Sequence, residues 1–241
     1  LQNLPRHIGI IMDGNGRWAK MRQRHRTFGH LRGARVARQT VSSCSRLGVK
    51  HLTLFAFSTE NWLRPKEEVN LLMRILERYL IKEQSVLMEQ NIRFTTLGEL
   101  SRLPTALRQL LQRTVQSTAK NTGMNLIFAV NYGARAEITS TAKAICQRVL
   151  DGDLSVDEID EAIFDSHLSS YPAPDVDLVI RTSGECRLSN FMLWQAAYAE
   201  LYFTEVLWPD FSEQHLMKAL HWFKHRDRRF GQVQSHELTL D

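Results

Sequence analysis

Asp13-Gly14-Asn15-Gly16-Arg17-Trp18 puts a carboxylate, two glycines, an amide and a guanidinium into six consecutive residues. A turn this rich in Gly and Asn leaves several backbone N–H groups free to converge on an anion, and the Arg17 fork matches phosphate oxygens. Neither the GxxxxGK[ST] pattern nor GxGxxG occurs, so the loop is neither a P-loop nor a dinucleotide fingerprint. An Asn-Gly hairpin turn is the alternative, but no alternating apolar strand returns after Arg17.

Arg22, Arg24, Arg26, Phe28, Gly29 and His30 follow. Arg26 and His30 are expected to join Arg17 at a diphosphate, each charge-assisted hydrogen bond contributing about 1.5–3 kcal/mol. Arg22 and Arg24 are expected to face solvent. A second polar loop, Ser58-Thr59-Glu60-Asn61-Trp62-Leu63-Arg64-Pro65, reads partly as a capped helix entry, which leaves Trp62 unexplained. A third, Arg181 to Asn190, supplies Arg181, Arg187 and several hydroxyls as another phosphate site. Two basic pockets imply two phosphorylated substrates.

The elements that must position these loops alternate. Apolar runs predict strands at Ile8–Met12, His51–Phe57, Ile92–Leu97, Met124–Val130, Val176–Ile180 and Tyr202–Leu207. Three- and four-residue spacing predicts helices at about Gly33–Leu47, Glu67–Gln90, from Pro104 to near Gly123, Arg135–Leu150, Asn190–Ala197 and Ser212–Lys224. Ser155 and Glu158 form a capping box before Ile159, Ala162 and Ile163. Six strands separated by helices, without repeats or a linker, predict a single α/β domain over residues 1–241, with a six-stranded, mostly parallel central sheet flanked by helices. Ligands of such sheets gather at the carboxyl ends of the strands, where the loops above lie.

At 241 residues the chain is long enough to bury a substantial core without disulfides or a structural metal. Cys44, Cys146 and Cys186 are far apart and form no CxxC pair, which argues against a zinc ribbon and for a reducing compartment. No run of about 18 apolar residues predicts a membrane span, and the first residues do not resemble a signal peptide. Residues 1–50 carry eleven Lys/Arg against the single carboxylate Asp13. Such a segment calls for a polyanion partner. Nucleic acid is disfavoured because the charges bracket a glycine turn rather than alternating with stacking aromatics. His221 and His225 lie four apart but lack a third ligand nearby, and Arg226, Arg228 and Arg229 read as a basic face or dimer contact.

The segments IIMDGNGRWAK, RTFGHLRGA, LFAFSTENWLRP, VNYGAR, DLVIRTSGECRLSNFMLWQAAYAELYF and VLWPDF run in order over nearly the whole chain. Together they resemble the signature segments of the cis-prenyltransferase (isoprenyl transferase) family, nearest its bacterial undecaprenyl diphosphate synthase branch. The resemblance implies a homodimeric, Mg²⁺-dependent enzyme extending farnesyl diphosphate with isopentenyl diphosphate into a long Z-polyprenyl diphosphate. The expected product is undecaprenyl diphosphate, precursor of the lipid carrier for cell-wall polysaccharides. It implies no nucleic-acid partner and a cytoplasmic location, with peripheral membrane contact for product release left open.

Carried over by motif, Asp13 is the expected catalytic carboxylate and Mg²⁺ ligand, with Glu200 a second metal ligand. Gly14, Asn15, Gly16, Arg17, Arg26 and His30 would hold the allylic diphosphate beside Trp18. Ser58, Thr59, Glu60, Trp62 and Arg64 would line the reacting region, Asn61 matching the family's proton acceptor. Arg181, Arg187, Leu188 and Ser189 would hold isopentenyl diphosphate. Ala134 and Cys186 depart from the family pattern, which has glycine at the first position and, in some members, histidine at the second. A neutral amide is a very weak base, so Asn61 is expected to orient rather than to accept the proton. The growing chain needs apolar walls, for which Leu72, Met73, Leu76, Leu80, Leu87, Leu126, Phe128 and Val130 are candidates alongside ordinary core packing. A catalytically silent partner subunit is the rival reading, but it would be expected to lack Asp13, Arg17 and Arg26. No DDxxD pair occurs, which argues against the all-helical trans-prenyltransferases.

Overall fold

The computed structural model describes residues 4–226. Six strands form one sheet, β1 (His7–Ile11), β2 (His51–Ser58), β3 (Arg93–Leu97), β4 (Asn125–Tyr132), β5 (Leu178–Arg181) and β6 (Glu200–Phe203). Their order is β3-β4-β2-β1-β5-β6 and every neighbouring pair is parallel. The sheet is therefore wholly rather than mostly parallel. Its helices are α1 (Asn15–Met21), α2 (Arg26–Leu47), α3 (Lys66–Glu89), α4 (Thr105–Thr118), α5 (Ala134–Leu150), α6 (Glu161–His167) and α7 (Glu213–Lys224).

A parallel sheet with crossover helices must bury both faces, and the strands divide their side chains accordingly. Leu126, Phe128 and Val130 of β4 enter a core shared with α2, α3, α4 and α7, whereas Ile127 and Ala129 enter a second core with Phe191 and Met192. From β1 the chain winds outward through β2 to one side and later places β5 on the other. The register Ile11↔Arg181 brings the loops after β1 and β5 side by side. This reversal of winding direction opens a crevice beyond the carboxyl ends.

Several expectations need correction. Residues 190–197 are turns, not a helix, because Ser189, Asn190 and Met192 adopt left-handed backbone at φ of 48°, 64° and 45°, which no right-handed helix accommodates. The last strand ends at Phe203 because the chain bends to pair with the loop after β5, Gly184 N–H donating to Thr204 O and Ser183 N–H to Val206 O. The box at Ser155 and Glu158 closes a single 3-10 turn. Helix α6 starts later, capped by Asp160 Oδ1, which accepts from Ile163 N–H at 2.8 Å. Arg228 and Arg229 lie outside the described residues.

The glycine-rich, basic stretch after β1 is helical, which its weak apolar period concealed. Asn15–Met21 forms α1, and α2 begins at Arg26 rather than near Gly33. Gly29 explains how the two pack so closely. A Cβ there would stand 1.9 Å from Asn15 O. Gly29→Ala is expected to cost about 1–3 kcal/mol of stability through overpacking. Urea unfolding checks this, and an unchanged midpoint would contradict the contact.

Candidate active site

The loop after β1 opens onto a cavity of about 340 Å³ between α2, α3 and the sheet. Asp13, Gly14, Asn15, Gly16, Arg17, Arg26, His30, Asn61 and Arg64 line its polar end. Ala37, Leu54, Phe57, Leu72, Met73, Leu76, Tyr79 and Phe128 line the rest. Leu72, Met73, Leu76 and Phe128 thus face the cavity as expected. Leu80, Leu87, Leu126 and Val130 are core residues only. The pairing of β2 with β4 shifts register after Phe55 and again after Phe57, a bulge at the carboxyl end of β2.

Gly14 precedes α1 at φ +104°, a left-handed conformation that glycine adopts without strain. The N–H groups of Asn15, Gly16 and Arg17 form the first turn of α1 and have no carbonyl partner within it. Asp13 is fixed at their edge. Its backbone N–H donates to Thr182 Oγ1 at 3.0 Å, Thr182 O–H donates back to Asp13 O at 2.7 Å, and Gly14 N–H donates to Asp13 Oδ1 at 2.7 Å. Asp13 Oδ2 accepts from Arg181 Nη2 at 3.0 Å.

Through that contact a second basic cluster joins the first. Arg181 is 3% exposed; its Nη1 donates to Ser189 Oγ at 2.7 Å and to Arg187 O. Arg17 lies 3.1 Å from Glu185 and donates to Ser183 Oγ, while Glu185 also pairs with Arg187. Leu188 packs against the second core. Glu60 Oε1 accepts from Asn190 Nδ2 at 2.9 Å, tying the loop after β2 to the same region. Burial would raise the Glu60 pKa, but the Asn190 amide and neighbouring hydroxyls hold it below the ordinary carboxylate value.

Asn61 lines the cavity, and its Oδ1 accepts from Ser58 N–H at 3.2 Å, which anchors the side-chain amide. Trp62 does not line the cavity. It packs edge-on against Phe57 at 5.0 Å, donates from Nε1 to Asn131 Oδ1 at 2.7 Å and carries Arg102 over its ring. Trp18 likewise turns away, donating to Asp210 Oδ1 at 2.7 Å. Arg22, expected in solvent, stacks over Trp18 and reaches Asp210 at 3.1 Å. Thr59 abuts Gly133, where a Cβ would meet Thr59 Oγ1 at 2.6 Å. The glycine that remains in NYGAR is therefore the crowded one, and Ala134 begins α5 fully buried without conflict. Cys186 is an exposed free thiol on the loop after β5.

Glu200 stands apart. It opens β6 in register with Leu178, at the opposite end of the sheet from Asp13, and pairs with Arg226 at 3.0 Å. One chain does not bring the two expected metal ligands together, and among the described residues no three His, Cys, Asp or Glu side chains gather as a metal cluster. The rings of His221 and His225 lie 4.5 Å apart at a tilt of 56°, and no third ligand joins them among the described residues.

The residue most clearly missed in the sequence is Glu68. Its side chain, 10% exposed, lies 2.8 Å from Arg26, 2.9 Å from Arg64 and 3.7 Å from His30. Burial opposes its ionisation, but Arg64 and Arg26 hold the carboxyl below its ordinary pKa.

The prenyltransferase family profile described as "Putative undecaprenyl diphosphate synthase" matches residues 11–231. The chain belongs to that family. It is 50% identical over 228 residues to the farnesyl-diphosphate-specific ditrans,polycis-undecaprenyl-diphosphate synthase of Vibrio cholerae, covering 95% of this chain and 91% of that one. It is 50% identical over 230 residues to the isoprenyl transferase of Bacillus subtilis, covering 95% and 88%. Among solved structures, lavandulyl diphosphate synthase from Lavandula x intermedia in complex with dimethylallyl diphosphate superposes with a TM-score of 0.93 at 41% identity, over 95% of this chain and 98% of that one. The match to family, sheet and chain length makes this protein a prenyltransferase.

His7, at the amino end of β1, and His30 are both buried. Burial chiefly lowers each pKa from 6.5 to about 4, assisted at His30 by the Arg64 charge. Well above pH 6.5 both are neutral whether folded or not. As pH falls toward 4 the unfolded chain takes up protons that the folded one refuses, so stability is lost across that window, by roughly 1–3 kcal/mol per histidine. Urea midpoints should therefore drop between about pH 7 and about pH 4.5, more than in a His7→Gln variant; parallel pH profiles would contradict the assignment.

Proposed function

We propose that this prenyltransferase joins isopentenyl diphosphate to farnesyl diphosphate repeatedly, giving undecaprenyl diphosphate for the lipid carrier of cell-wall polysaccharides. One observation carries the reading. Asp13 links two basic clusters, and beneath the first of them an apolar cavity begins. The relatives' specificity for farnesyl diphosphate and the dimethylallyl diphosphate in the lavandulyl synthase support an allylic diphosphate at the glycine loop.

Ionisation of an allylic diphosphate separates charge, cation on carbon and anion on the leaving group. The N–H groups of Asn15, Gly16 and Arg17, with Arg26, would stabilise the departing diphosphate with donors already oriented. Arg181, Arg187 and Ser189 would hold isopentenyl diphosphate so that its alkene faces C1. Placing both partners converts an encounter into a near-unimolecular step, contributing about 7–11 kcal/mol. The alkene then bonds to C1 and loses a proton. Asn61, a neutral amide anchored by Ser58 N–H, would orient a diphosphate oxygen that takes the proton.

Mg²⁺ suits this site. It commonly binds through one or two carboxylates plus substrate phosphates and water, and Asp13, 35% exposed at the junction of the clusters, is such a carboxylate. When bound it would neutralise charge on the leaving diphosphate. Glu200 can join Asp13 only from a second chain, in keeping with a homodimer. The exposed Leu201 of edge strand β6 supports such a contact. No described helix is long and apolar enough to cross a membrane. The exposed Met21, Phe28 and Leu63, among Lys20, Arg24 and Lys66, suit peripheral contact with an anionic bilayer from the cytoplasm.

Incorporation of labelled isopentenyl diphosphate onto farnesyl diphosphate tests the reaction. Asp13→Ala should reduce turnover by about 10²–10³-fold, and EDTA should abolish the wild-type rate until Mg²⁺ is restored. Activity surviving both would refute the assignment. Ala37→Trp, filling the cavity wall on α2, should shorten the product by mass spectrometry; an unaltered chain length would rule out this cavity as the product's path.

A further inference from the structure

We infer that Glu68 is a positioning residue, a built-in counter-ion that holds Arg26 and Arg64 in the geometry the allylic diphosphate requires. The inference rests on that diphosphate occupying the glycine-loop cavity. A carboxylate in an anion pocket is at first sight a defect, since it repels the ligand. Its placement explains it. Glu68 Oε2 takes Arg26 Nη1 at 2.8 Å and Oε1 takes Arg64 Nη1 at 2.9 Å, so one residue of α3 joins the first residue of α2 to the turn after β2.

Stability alone does not account for the arrangement. The Arg26 and Arg64 side chains are 62% and 40% exposed, so solvent screens them, and the mostly buried Glu68 side chain could as well have been apolar if folding were all that it served. Long, exposed arginines instead sample many rotamers, an entropy that a substrate would otherwise have to remove. Glu68 removes it beforehand. The Arg26 guanidinium is held against the glycine loop, where a Cβ on Gly16 would meet Arg26 Nε at 3.1 Å. Two cations on one anion leave the mouth with net positive charge. His30, neutral at pH 7 and 3.7 Å from Glu68, completes the set without adding to it.

The two effects of Glu68 oppose each other, which gives the proposal a signature that a merely structural role lacks. Removing the charge while keeping the shape should strengthen or leave unchanged the binding of diphosphate, yet impair alignment of the scissile bond. Misalignment on the scale of an ångström costs up to about 100-fold. Glu68→Gln is therefore expected to bind inorganic diphosphate as tightly as wild type or up to about tenfold tighter by calorimetry, while kcat falls by about 10- to 100-fold and KM for isopentenyl diphosphate stays within about twofold. Glu68→Asp, which keeps the charge one methylene short, should recover part of the kcat and also serves should the glutamine variant not fold. A kcat for Glu68→Gln within about threefold of wild type, or diphosphate affinity falling in step with kcat, would overturn the proposal. Wild-type protein that makes no prenyl product would instead refute the proposed reaction. The diphosphate titration would still judge Glu68, retained or tighter binding in the glutamine variant supporting it and weakened binding overturning it.

Discussion

The contact between Asp13 and Arg181 is the constraint from which the rest of the site follows. It joins the loops after two adjacent parallel strands on either side of the point where the sheet reverses its winding. An arginine 3% exposed needs an anion, and Asp13 supplies one at the seam of two otherwise basic clusters. Without that seam the chain would offer two separate anion sites. With it, the two basic clusters meet across a single carboxylate.

The surrounding fold serves that seam. Paired hydrogen bonds between Thr182 and the Asp13 backbone fix the loop, and the packing of α1 on Gly29 of α2 fixes the first-turn N–H groups beside it. Helices α2 and α3 supply Ala37, Leu72, Met73 and Leu76 to the walls of the apolar cavity. Electrostatics at the strand ends and apolar walls behind them are thus parts of one arrangement around the glycine turn.

Much of this was legible in the sequence, for identifiable reasons. Strands of a parallel sheet are buried on both faces and read as apolar runs, so all six are located to within a few residues, and of the loops after Met12, Phe57, Val130 and Ile180 the first, second and fourth meet at the candidate site. Helix α1 and the start of α2 are hidden because their glycines and arginines serve close packing and ion pairs rather than an apolar stripe. Residues 190–197 misled in the opposite way, their buried Phe191 and Gln195 mimicking helical spacing on a backbone that is locally left-handed. Glu68 carried no local signal, since its partners on α2 and the turn after β2 meet it only through tertiary packing. Trp18 and Trp62 are placed beside the substrate by motif alone, and in the fold their indole N–H groups go to Asp210 and Asn131.

A double-mutant cycle across the Asp13–Arg181 contact, read as the initial rate of isopentenyl incorporation, addresses the central claim directly. If the two residues act as one unit joining the clusters, Asp13→Asn and Arg181→Gln together should cost little more than the worse single change, a coupling of about 1–3 kcal/mol. Losses that simply multiply, as for independent sites, would contradict it.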